Sequence, residues 1–178
     1  MAKKSKKKTQ AFEIVKEQAW HGHVGVQEEA FDLDLEIRRL KQGDHDIGAI
    51  VSFTGCVRHK IEEADAIEEP QIKALHIEHY PGMTERMMAE FRAEAMMRWK
   101  LSSATIIHRV GSLMAGDDIV LVITAAPHRK AAFDACQFLM DWLKNDAPLW
   151  KAEETIDGKL YWVAAKESDA QEKARWNG

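Results

Sequence analysis

The chain has 178 residues, 46% hydrophobic and 30% charged, with a formal net charge of -4. That length fits one domain able to bury about 70% of its unfolded surface, and the charge balance makes no general case for a nucleic-acid or membrane partner. Two cysteines are too few for a disulfide framework and fit a reducing cytoplasm; no apolar run approaches a membrane span, and the N-terminus lacks the apolar core of a signal peptide.

Residues 1–10, MAKKSKKKTQ, hold five lysines and almost nothing apolar. Residues 1–11 are therefore expected to be a disordered tail, with weak, salt-sensitive contact to a polyanion as the functional alternative. The remainder, 12–178, is expected to be a single domain. Residues 12–31 alternate loosely and suit one or two strands. His21 and His23 are spaced like a metal pair on one strand face, but no partner stands at a recognisable zinc spacing, so no metal site is assigned. Asp32 or Asp34 can cap a short helix that Gly43 stops.

Residues 47–57, IGAIVSFTGCV, are rich in β-branched side chains and predict a buried strand ending in Arg58 at the rim of the sheet. Residues 59–70 are acidic and without apolar period, as in a loop. Residues 72–79 predict a strand with His76 and His79 on opposite faces. Thr84 is the expected N-cap of a helix running to Trp99, with Met87, Met88, Phe91 and Ala95 on its core stripe. Strands follow over 104–110 and 118–125, separated by the turn residues 114–117. The stretch from Pro127 then carries a helix whose stripe is Ala132, Cys136, Leu139, Met140 and Leu143. Two last strands, 149–155 and 159–165, flank the hairpin dipeptide Asp157-Gly158. The order fits an α+β fold, with helices packed on a mostly antiparallel or mixed sheet and a C-terminal hairpin.

No phosphate-binding glycine loop, nucleophile elbow or zinc signature occurs. What remains is a set of cations: Arg58, His128, Arg129, Lys144, Lys151 and Lys166. Histidine and arginine at a helix start suit a phosphate or carboxylate, and a lysine beside Trp150 suits acid-base work; the plain alternative is a solvated surface with core tryptophans. From His128 to Lys144 is 16 residues, or about 24 Å of helix. The two ends cannot serve one small ligand within one chain, so either two sites exist or a second copy supplies the complementary end.

Four segments together, GAIVSFTGCVR from Gly48, LHIEHYPGMTE from Leu75, IHRVG from Ile107 and HRKAAFDACQFLMDWLKNDAPLWK from His128, resemble the large, catalytic subunit of molybdopterin synthase, the MoaE family. The resemblance covers roughly residues 24–176. It implies an α/β hammerhead fold and a homodimer within a heterotetramer, each end of which holds a small ubiquitin-like sulfur carrier. It also implies the reaction: sulfur passes from the carrier's Gly-Gly thiocarboxylate to cyclic pyranopterin monophosphate, twice, giving the dithiolene of molybdopterin. No resident cofactor or metal is implied. By this alignment Lys144 and Lys151 are the catalytic lysines. Arg58, His128 and Arg129 bind the pterin and its phosphate, Phe53 and Val57 line the pocket, and Lys166 stands where an arginine is common. Cys56 is expected to be a buried, inert thiol. Departures from the family pattern are Asn145-Asp146 in place of a Thr-Arg pair, Ala152 in place of a basic residue, and a longer acidic loop. The alternative function is a non-catalytic scaffold that binds a ubiquitin-like tail or a polyanion.

Overall fold

The structure is a computed structural model and describes residues 21–59, 71–163 and 176. The lysine-rich tail, nearly all of the acidic loop, and Lys166 lie outside the described residues. Eight strands and three helices are described, in the order β1 (Val24–Gln27), α1 (Leu33–Leu40), β2 (Ala49–Cys56), β3 (Ile72–His79), α2 (Met83–Trp99), β4 (Ser103–Arg109), β5 (Gly111–Met114), β6 (Asp118–Ala126), α3 (Arg129–Asn145), β7 (Leu149–Thr155) and β8 (Leu160–Trp162). The α+β class expected from sequence is the class found. No described helix is long and apolar enough to cross a membrane.

The strands form two four-stranded sheets rather than one. The first has the order β1-β4-β6-β2 and is mixed, since β1 runs parallel to β4 while β4–β6 and β6–β2 are antiparallel. The second, β5-β3-β7-β8, is antiparallel throughout. Strand alternation sends Ile106, Val120 and Val122 to one face of the first sheet, where α2 and α3 cover them. Ile107, Leu121 and Ile123 face the other way, onto Leu40 of α1. A third apolar cluster fills the junction of the two sheets with Val57, Ile72, Leu75, Ile77, Val110 and Leu113.

Local chemistry sets the helix ends. Asp32 caps α1, its carboxylate accepting the Leu35 N–H at 2.9 Å. At α2 the expected cap is displaced: Gly82, at φ +78, is the N-cap, and the Glu85 carboxylate reaches back to the Gly82 N–H at 2.6 Å. Thr84 lies inside the first turn and is fully buried. Its hydroxyl is shared between the carbonyls of Tyr80, at 3.1 Å, and Pro148, at 3.3 Å, which ties the start of α2 to the segment leading into β7. On α3 the expected stripe is the packed one: Ala132, Cys136, Leu139 and Leu143 are buried, together with Ala135 and Phe138. Met140 is only half-buried, because it faces a cavity.

Candidate functional site

The first sheet ends at β2, and among the described residues no strand pairs with the outer side of that strand. Between β2 and α3 lies a cavity of about 520 Å³. Val51, Ser52 and Phe53 form its strand wall, while Phe133, Cys136, Gln137, Met140, Asp141 and Lys144 form its helix wall. The helical residues recur at three- and four-residue spacing, so they share one face of α3. Phe53 and Phe133 are 40% and 61% exposed, unusually open for aromatic side chains that touch a cavity. The site is thus an apolar cleft with a lysine at the C-terminal end of its helical wall.

The cleft brings together Phe53 and Lys144 of the residues picked from sequence. Lys144 is exposed in the last turn of α3, where the negative end of the helix dipole favours a cation. Lys151 follows after the turn at 146–148, on β7 opposite Ile77 of β3. It is half-buried and turned toward the sheet junction, the same side as His79. Arg58 is exposed immediately beyond β2. His128 is the N-cap of α3 and Arg129 its first residue, both exposed. α3 runs unbroken for 17 residues between them and Asn145, so His128 and Lys144 stand about 24 Å apart along it. His128 and Arg129 therefore do not line the cleft of their own chain. Val57 is 5% exposed, with its side chain in the sheet-junction core. Its backbone is also engaged, N–H to the Asp117 carbonyl at 2.8 Å and carbonyl from the Gly116 N–H at 2.9 Å.

Three further groups were not legible as site residues. Asp141 lines the cleft one turn before Lys144 and accepts the indole N–H of Trp176 at 2.7 Å. Its spacing from Lys144 was the available signal. His108, at the end of β4, is 2% exposed and donates from Nδ1 to the Arg109 carbonyl at 2.7 Å. Burial, then the positive charge of Lys151, pull its pKa down to about 3, so the imidazole stays neutral. Cys56 is exposed rather than buried, because a bulge between Gly55 and Cys56 turns the end of β2 outward. Its thiol donates to Asp118 Oδ1 at 3.3 Å, and that bond raises its pKa, which keeps it a weak nucleophile. Trp142 packs on Phe91 at 4.5 Å in the α2–α3 core, while Trp150, beside Lys151, is 49% exposed.

The fold and the site define an α+β protein with an open, largely apolar cleft between an edge strand and a helix that carries a lysine in its last turn. The MoaE protein family matches residues 26–146, two thirds of the chain, and the chain belongs to that family. A molybdopterin synthase catalytic subunit from Mesorhizobium japonicum is 47% identical over 154 residues, covering 86% of this chain and 92% of that one. Among solved structures, a molybdopterin biosynthesis MoaE protein from Burkholderia ambifaria superposes with a TM-score of 0.72 at 40% identity, covering 88% and 99%. Molybdopterin synthase from Staphylococcus aureus gives 0.67 at 27% identity, covering 79% and 96%. The chain is accordingly an enzyme of molybdenum cofactor biosynthesis, acting in molybdopterin synthesis.

Proposed function

We propose that the cleft between β2 and α3 receives the C-terminal glycine thiocarboxylate of a small ubiquitin-like sulfur carrier, and that sulfur passes there to cyclic pyranopterin monophosphate. The observation that carries this reading is the pairing of an open strand edge with an apolar cleft ending at Lys144. An extended tail gains backbone hydrogen bonds along such an edge and stops where the cation meets its terminal charge. The relatives' designation as a catalytic subunit also supports a second, separate subunit. The two free cysteines fit the cytoplasmic setting inferred from composition.

In this scheme Lys144 lies nearest the carrier terminus and gives or takes the proton. Lys151 holds the pterin and assists. The carrier's sulfur bonds to a pterin side-chain carbon as a thioester. Water attacking the thioester carbonyl builds negative charge on its oxygen before the acyl C–S bond breaks and the carrier leaves as a carboxylate. Opening the cyclic phosphate leaves a monoester, and fixed cations stabilise both charges. Arg58, His128 and Arg129 grip the phosphate, arginine by a bidentate contact that lysine does not reproduce. Because His128 and Arg129 lie at the far end of α3, a homodimer supplies them from its second copy. Lys166 joins them as a further cation. No metal or resident cofactor enters the scheme.

The test is incubation of the chain with thiocarboxylated carrier and cyclic pyranopterin monophosphate, reading dithiolene formation. Lys144→Ala should abolish product while carrier affinity stays within about twofold, since one exposed lysine contributes little to an interface. Normal turnover by this variant would remove Lys144 from the mechanism.

A further inference from the structure

Asp141 is a half-buried carboxylate in the helix wall of the cleft, among Phe133, Cys136, Gln137, Met140 and Lys144, and a carboxylate drawn partly out of water calls for a hydrogen-bond partner. It is kept there by a residue far along the chain. Trp176 donates its indole N–H to Asp141 Oδ2 at 2.7 Å. The indole is itself held on several sides. It stands edge-on to Trp99 and to Phe138, both at 5.6 Å with interplanar angles of 89° and 87°. Its backbone carbonyl accepts Arg98 Nη1 at 3.0 Å, and the Arg98 guanidinium lies 5.8 Å from the indole centroid. The same guanidinium is 5.1 Å from the Trp99 ring and 5.8 Å from Phe138. Two helices and the last aromatic residue of the chain therefore converge on one carboxylate. At the helix end, Asn145 Nδ2 donates to the Asp141 carbonyl at 2.7 Å, fixing the backbone of the same residue.

Lys144 is three residues on from Asp141, along the same wall of the same cleft. An acid preceding a lysine by one helical turn is the favourable order for such a pair. A lysine stem has four freely rotating bonds, so an anchored anion beside it narrows where its ammonium goes.

We propose that Asp141, locked by Trp176, is a positioning residue that holds Lys144 toward the reacting end of the cleft. This rests on the reading of Lys144 as the sulfur-transfer lysine. Trp176, which does not itself line the cleft, then acts on the chemistry only through Asp141. An anchored anion that acts on orientation lowers kcat when removed and leaves carrier binding in place.

The full chain, with thiocarboxylated carrier and cyclic pyranopterin monophosphate, provides the test, with kcat, the KM for carrier and Tm measured for each variant. Asp141→Asn should lower kcat about tenfold, the scale of a modest misplacement, with KM within about twofold. Trp176→Phe keeps the ring packing but removes the N–H, and should lower kcat in the same direction by less. The double variant should be no slower than Asp141→Asn alone, and Asp141→Glu should recover part of the loss. Wild-type kcat in Asp141→Asn, additive losses in the double variant, or a fall in Tm with a raised KM and unchanged kcat would each overturn the proposal. Lys144→Ala, run alongside, separates the two levels. If it is inactive while Asp141→Asn is normal, only the positioning role fails; if it is active, the assignment of Lys144 fails and the positioning role with it.

Discussion

His108 shows what a single side chain can reveal that its sequence neighbourhood conceals. In IHRVG it looks like an ordinary polar residue at a strand end, yet it is 2% exposed, and burial with the nearby charge of Lys151 holds its pKa at about 3 against an ordinary 6.5. Between those values the unfolded chain binds a proton that the folded chain refuses, so this contribution is complete above pH 6.5 and is lost as pH falls toward 3. Stability should drop by about 1.4 kcal/mol per pH unit from roughly pH 6 to pH 4 on this account alone. Urea unfolding at pH 7, 5 and 4 reads the slope, and His108→Asn should flatten it; an equal slope in the variant would place the acid sensitivity elsewhere. At this scale the sequence was readable where position followed a strong local pattern, with Lys144 in the last turn of α3 and Arg58 just beyond β2. It was silent where exposure depends on a bulge, as at Cys56, or where a partner lies far along the chain, as with Asp141 and Trp176.

Elements with strong local signals were legible: β3 and β7 have the bounds expected from sequence, and Gly158, at φ +82, makes the hairpin turn that Asp157-Gly158 announces. β5 was missed because GSLM is four residues long and becomes a strand only by pairing with β3, Leu113 opposite Leu75. Gly82 was passed over for Thr84 because its capping depends on a backbone conformation, not on a side-chain oxygen. Gly48 makes a further constraint visible only in three dimensions. Its N–H bonds the Ala126 carbonyl at 3.1 Å, and a Cβ there would stand 2.2 Å from the Pro127 carbonyl oxygen. The start of β2 and the lead-in to α3 are thus pressed together at a point adjoining His128. Gly48→Ala must push backbone apart and should cost about 1–3 kcal/mol, as overpacking does. Gly25→Ala, where the nearest atom is 3.5 Å from the added carbon, should stay within about 0.5 kcal/mol. Paired thermal melts check both, and equal Tm values would show that the junction yields freely.

At the scale of the whole molecule, the division into two sheets came from long-range pairing, which periodicity does not report. α3 carries the more consequential constraint. It runs unbroken over Arg129–Asn145, with Ala132, Phe138 and Leu139 fully buried, so neither bending nor sliding brings its ends together. If His128 and Lys144 serve one reaction, they come from different copies, and each copy contributes its N-terminal end to one site and its C-terminal end to the other. Two inactive variants should then rescue each other. A His128→Ala chain and a Lys144→Ala chain, each inactive alone, form mixed dimers in which one site carries both lesions and the other carries neither. Random reassortment makes half of the dimers mixed, with one of two sites intact, so about a quarter of wild-type activity should return in a two-fold assembly. The gain should appear only after subunits are unfolded and refolded together, and not after simple mixing of slowly exchanging dimers. Activity that stays at the level of the separate variants after co-refolding would mean that the two ends of α3 work in different sites, and that each chain completes its own.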